Sequence, residues 1–184
     1  MKSALILIDI QNDYFPGGKM ELVGAENAGK NAGSLLNAAR QNGILIIHVQ
    51  HLSTMPDAPF FIPETQGVMI HNCVKPLPGE IVVQKNYPNS FRETNLQEIL
   101  TKAGIENLVI GGMMTHMCVD ATVRAAADLG YQCKLASDAC ATRDLIWGGE
   151  TVPAKYVHMS FLSALSGVYA QVLLTADLIP QMKE

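Results

Sequence analysis

Between Asn107 and Ala141 the chain reads NLVIGGMMTHMCVDATVRAAADLGYQCKLASDACA, and few folds accommodate such a stretch. Leu108, Val109 and Ile110 form a short apolar run that Gly111 and Gly112 close, which predicts a buried strand and a tight turn. From Cys118 the periodicity changes: Cys118, Val119, Thr122, Ala125 and Ala126 recur at helical spacing, and Gly130 supplies the stop. A strand that runs straight into a helix is half of a parallel β-α-β unit. Cys118 falls at the helix start, where unpaired N–H groups favour negative charge, lower a thiol pKa and can hold an oxyanion. A small free cysteine is also a common core residue. This stretch alone leaves nucleophile and core filler both open.

The rest of the chain repeats the alternation. Ala4–Ile8 is a continuous apolar run that ends on Asp9, and the loop residues Gln11 to Gly18 follow. Residues 25–42 predict an alanine-rich helix ending at Gly43, and Ile44–Val49 a second buried strand with Gln50 and His51 at its end. A long loop over 53–80 carries Pro56, Pro59, Pro63, Pro76 and Pro78 together with Phe60, Phe61, Met69 and His71. It has the character of a lid or partner-facing segment. Ile81–Val83 is a third strand, with Gln84 and Lys85 beyond it. Thr94 is placed to cap a helix that Gly104 closes. After residue 141 come a loop through Arg143 and Trp147, a helix over 154–166 and a last strand at 170–174.

With 184 residues, 48% of them hydrophobic, the chain is expected to form one domain spanning 1–184. A formal net charge of −4 and no basic run give no case for a nucleic-acid partner. Four cysteines, at 73, 118, 133 and 140, match neither a disulfide scaffold nor paired metal knuckles. No apolar stretch reaches membrane-spanning length and no targeting segment is recognised, so the expected setting is cytoplasmic and reducing, with no membrane partner.

Asp9, Lys85 and Cys118 all stand at the carboxyl ends of predicted parallel strands, where open α/β sheets place their sites. The types form a chemical set: a thiol nucleophile, a cation to support its thiolate, and a carboxylate to move a proton. Each also has a bland reading, as core filler, solvated lysine and loop brace. In LILIDIQNDYF, PLPGEIVVQKNYPNSF, GGMMTHMCVDATVRAAADLGY, SDACATRD and VHMSFLSAL, taken in that order over nearly the whole chain, the sequence resembles the isochorismatase-like cysteine hydrolases. That superfamily includes nicotinamidases, N-carbamoylsarcosine amidases and streptothricin hydrolase. The resemblance implies a three-layer α/β/α fold with a six-stranded, mostly parallel sheet in the order 3-2-1-4-5-6. It also implies the triad Asp9, Lys85 and Cys118, a cis peptide between Met113 and Met114, and an oxyanion hole from the N–H groups of Met114 and Cys118.

Departures from the pattern bear on the substrate. Nicotinamidases carry a metal-binding aspartate and histidine after the second strand, whereas this chain has His51 and Ser53 there. His48, His51 and His71 suggest an imidazole cluster, but no carboxylate joins them at motif spacing, so no metal and no cofactor are expected. Siderophore-pathway isochorismatases lack the nucleophilic cysteine. Its presence here favours hydrolysis of a C–N bond in a small amide or ureido compound over enol-ether cleavage, with a catalytically idle binding module as the other alternative. Phe15, Gln50, His51 and Tyr87 are expected on the pocket wall, joined by His116, Trp147, and Met113 and Met117, for which core packing is an equal reading. Homo-oligomerisation, as dimer or tetramer, is expected from the small apolar chain and from the family. Asp120, Arg124 and Asp128 stand four apart on the cysteine-bearing helix, either as a solvated ladder or with Arg124 as an anchor.

Overall fold

A computed structural model describes residues 2–182. Six parallel strands form the main sheet: β1 (Lys2–Ile8), β2 (Leu45–His51), β3 (Ile81–Lys85), β4 (Ile105–Met113), β5 (Gln132–Ala141) and β8 (Gln171–Leu173), in the order β3-β2-β1-β4-β5-β8. Counted within the sheet this is 3-2-1-4-5-6, the expected order, and the strand order reverses at β1, which lies between β2 and β4. Alternation along β1 divides two cores. Leu5 and Leu7 pack with Ala32 and Leu35 of α1 (Ala25–Gln41) and Leu178 of α5 (Thr175–Leu178). Ala4, Ile6 and Ile8 pack with Leu96 and Leu100 of α2 (Leu96–Ala103), Val123 and Ala126 of α3 (Asp120–Asp128), and Leu165 of α4 (Ala154–Leu165). A strand covered on both faces must be apolar throughout, hence the run ALILI.

Two local expectations need correction. The strand β4 does not end at Ile110 but continues through both glycines to Met113. These glycines serve close packing rather than a turn: Gly112 adopts φ +146, and a Cβ there would run into the Ile8 carbonyl oxygen of β1. The stretch 145–152 is not plain loop but an antiparallel hairpin of β6 (Leu145–Trp147) and β7 (Glu150–Val152), turned by Gly148 and Gly149, both at positive φ. Thr94 acts near the start of α2 as anticipated, accepting from the Leu96 N–H at 3.3 Å. Arg124 pairs with Asp120 at 3.0 Å and also lies over the Tyr169 ring at 4.5 Å, so it ties α3 to the segment after α4. Among the described residues, no helix is long and apolar enough to cross a membrane.

Candidate active site

Four adjacent strand ends converge. β1 delivers Asp9, β2 delivers His51, β3 delivers Lys85, and the turn after β4 delivers Cys118. Asp9 leaves the strand at φ +51, a left-handed conformation that aspartate tolerates better than most residues, while its N–H stays bonded to the Val49 carbonyl at 3.0 Å. After β4 the Met113–Met114 peptide is cis, and Thr115–Val119 then form a π-helical turn before α3 begins. Cys118 therefore sits inside a widened turn rather than at the first residue of an α-helix. Two histidines brace this turn: His158 meets the Thr115 hydroxyl at 2.9 Å, and His116 meets that of Thr142.

The Lys85 ammonium is the hub. It lies 2.7 Å from Asp9 Oδ2, 2.9 Å from His51 Nδ1 and 3.3 Å from Cys118 Sγ. An ammonium has three N–H donors, so all are committed. Asp9 and Lys85 are completely buried as side chains, and Cys118 is only 4% exposed. Burial alone would lower the Lys85 pKa, but the Asp9 carboxylate and Cys118 outweigh it and hold that pKa above its ordinary value. His51 is pushed the other way, chiefly by burial and then by the Lys85 charge, so its neutral ring accepts through Nδ1. The expected low-pKa thiol is a correction. Burial, and next the Asp9 charge, push the Cys118 thiol well above its ordinary value, and Lys85 only partly opposes them. Burial thus opposes ionisation of the Cys118 thiol, and a buried carboxylate stands beside it. That carboxylate has capacity to spare, because Asp9 Oδ1 has no hydrogen-bond partner.

The donor atoms of Asp9, His51 and Cys118 lie within 4.8 Å of one another and are of metal-binding type. They do not fit a resident divalent cation, because the fixed charge of Lys85 already contacts all three. His48 turns instead to Glu80 at 3.0 Å, and His71 stacks on Phe15 at 3.6 Å, so the three histidines considered together do not meet.

A cavity of about 260 Å³ opens over Cys118. Tyr14, Phe60 and Phe61 form one wall as an aromatic cluster with centroids 4.6–5.7 Å apart, and Met20, Met114 and Met117 supply other apolar surface. The proline-rich loop thus covers the site. Asp13 pins it there by accepting from the Phe61 N–H at 2.7 Å. Of the side chains expected on the wall, His51 and Met117 line it. The others lie elsewhere. Phe15 is buried against His71, Gln50 donates to the Val68 carbonyl at 3.0 Å, and Tyr87 lies under the Arg92 guanidinium at 3.6 Å. Met113 is wholly in the core and His116 serves Thr142. Trp147 is 85% exposed, because the hairpin carries it outward.

Sequence reasoning passed over Arg143, which lines the same cavity. Its Nη1 donates to the Asp144 carbonyl at 3.3 Å, but its Nε is buried with no partner. The available signal was a guanidinium in SDACATRD directly after a strand end.

The isochorismatase domain model matches residues 3–177. The chain is 50% identical over 175 residues to an uncharacterized isochorismatase family protein of Bacillus subtilis, covering 95% of this chain and 97% of that one. It is 35% identical over 156 residues to a streptothricin hydrolase of Streptomyces noursei, covering 82% of this chain and 55% of that one. The crystal structure of an isochorismatase from Pseudomonas putida superimposes with a TM-score of 0.90 at 39% identity, covering 95% of this chain and 89% of the other. With a sheet, a strand-end cluster and a domain match that agree along almost its whole length, the chain belongs to the isochorismatase family, and its cluster is that of a cysteine hydrolase.

Proposed function

We propose that this chain hydrolyses a C–N bond in a small amide or ureido compound through a thioester on Cys118. The observation that carries the reading is the buried contact of Lys85 with Asp9 and Cys118, beside an Asp9 oxygen that lacks a partner. In acylation Cys118 Sγ attacks the carbonyl carbon as its proton passes to Asp9 Oδ1. Lys85 stabilises the sulfur's negative charge during transfer, so a thiol that is neutral at rest is activated only with substrate in place. The backbone N–H groups of Met114 and Cys118 are proposed to hold the oxyanion. Asp9 then gives its proton to the departing nitrogen, the C–N bond breaks and an acyl thioester remains. Water enters, loses a proton to Asp9 and attacks the thioester. The C–S bond breaks, the acid leaves, and the proton returns to sulfur.

The cavity falls below the ~300–1,000 Å³ of drug-sized sites, which supports a small substrate. Aromatic and methionine walls suit an apolar body, and the partnerless Arg143 Nε suits an acidic group. A panel of small amides and N-carbamoyl acids, scored for ammonia or amine release, tests the activity. Release by the wild type and none by Cys118→Ala supports it, whereas equal release by both overturns it.

The chain is further read as a single catalytic domain, since both cores pack on one sheet. Homo-oligomerisation finds support in the exposed Ile146, Trp147, Tyr156 and Met159. Light scattering at micromolar concentration checks it, with a monomer mass as the contrary result. Four free cysteines suit a reducing, cytoplasmic compartment.

A further inference from the structure

We propose that His51 is a substrate-orienting donor of this site, favouring amides that carry a second hydrogen-bond acceptor, besides the carbonyl oxygen, close to the attacked carbon. The inference rests on the hydrolase reading and adds a substrate requirement to it. The cavity floor holds one ammonium, and its three N–H groups are spent on Asp9, His51 and Cys118. Lys85 has nothing left to offer a ligand. Asp9 as a carboxylate only accepts. Of the other polar side chains that line the cavity, Tyr14, His51 and Arg143, His51 is the one that shares the Lys85 hub with the sulfur.

Its tautomer follows from its neighbour. Nδ1 faces an ammonium at 2.9 Å and must accept, so the ring proton belongs to Nε2. Among the described residues Nε2 has no hydrogen-bond partner, and Phe61, 5.8 Å away between centroids, backs the ring. Together with the Arg143 guanidinium, His51 thus presents an N–H to a cavity that is otherwise mainly aromatic and thioether. Distance sets where the matching acceptor lies. A nitrogen of His51 lies within 4.8 Å of Cys118 Sγ, and a carbon ready for attack sits ~3–3.5 Å from the sulfur. An acceptor that reaches the His51 ring N–H is therefore carried near that carbon, on the same small substrate. The leaving NH2 of a primary amide is a donor and would meet His51 badly, so the N–H also decides which way round the amide binds.

The test needs no known substrate. Aldehydes add the Cys118 thiol reversibly: the S–C bond forms, the carbonyl oxygen takes the thiol proton, and no oxidant is needed. Pyridine-2-carbaldehyde carries a ring acceptor two bonds from the attacked carbon, whereas benzaldehyde has the same shape without it. Protection of Cys118 against iodoacetamide, mapped by mass spectrometry on the full chain, gives an affinity for each. The ratio of dissociation constants, benzaldehyde over pyridine-2-carbaldehyde, is compared between variants, so the intrinsic reactivity of the aldehydes and general damage to Lys85 or Cys118 cancel. One neutral hydrogen bond predicts that His51→Phe lowers the ratio about three- to tenfold. His51→Gln, which keeps a donor, should retain the wild-type ratio and gives the same comparison if the Phe variant does not fold. An unchanged ratio in His51→Phe, or a ratio lost in His51→Gln, overturns the assignment while leaving Cys118 as nucleophile. Failure of both aldehydes to protect wild-type Cys118 would instead overturn the hydrolase reading, and this inference with it.

Discussion

The Asp9 carboxylate and the Lys85 ammonium meet at 2.7 Å with neither side chain reaching solvent. Taking both charges out of water is costly, and their mutual attraction offsets that cost only while both are present. Lys85→Met leaves Asp9 buried and uncompensated. It should lower stability by about 3–5 kcal/mol and abolish turnover. Denaturant unfolding at pH 7 reads the first effect, and an unchanged midpoint would show that no ion pair exists there.

Thiol chemistry and catalysis should separate at Asp9. Its charge is the second cause, after burial, that raises the Cys118 pKa, so Asp9→Asn should lower that pKa while Lys85 remains beside the sulfur. Each unit of decrease gives roughly tenfold more thiolate at a fixed pH below the pKa. Iodoacetamide should therefore label Cys118 faster in Asp9→Asn than in the wild type at pH 8. Turnover should fall by about 10²–10⁴, the contribution of a positioned acid–base group. Slower labelling in the variant would mean that the carboxylate activates the thiol in the resting enzyme.

At the far end of β3, Glu80 accepts from Arg40 at 2.7 Å, from His48 at 3.0 Å and from the Leu77 N–H at 2.8 Å. The Arg40 bond leads in holding its pKa down at about 2. A depressed folded pKa contributes stability that is full above the ordinary carboxylate range and lost as pH falls through about 2. Glu80→Gln should cost about 2 kcal/mol at pH 7, as for a hydrogen bond to a charged group. The gap from wild type should close as urea unfolding is repeated from pH 5 down to pH 2. A gap constant over that range would contradict the assignment.

The buried Nε of Arg143 predicts a split in the kinetics. For an acidic amide substrate, Arg143→Leu should raise KM about ten- to a hundredfold, the worth of a charged hydrogen bond. For a neutral amide of the same shape KM should change little. Equal losses on both substrates would make Arg143 a structural residue.

Strand ends were legible because position and chemistry coincide there. A run such as ALILI must be buried on both faces, so the residue that follows it, Asp9, emerges at the sheet's carboxyl edge. The same logic reached Lys85, His51 and Cys118. What escaped depends on contacts that no local pattern encodes. Trp147 stands close in sequence to Arg143, yet the Gly148–Gly149 turn sends it into solvent while Arg143 faces the cavity. Gly111 and Gly112 look the same whether they make a turn or admit a neighbouring strand, and only the proximity of Ile8 separates the two. The Cys118 pKa was misjudged because helix-start and lysine effects are visible in sequence, whereas burial and the approach of Asp9 are not.

The central claim is a covalent acyl group on Cys118. Intact-protein mass spectrometry, after acid quenching a millisecond-to-second mixture with an amide found by the release panel, tests it most directly. The wild type should gain the mass of the substrate less its departing amine, mapped to the peptide bearing Cys118, and Cys118→Ala should bind the amide without gaining mass. An adduct of that mass on Cys118→Ala, or amine release by that variant at the wild-type rate, would contradict the mechanism.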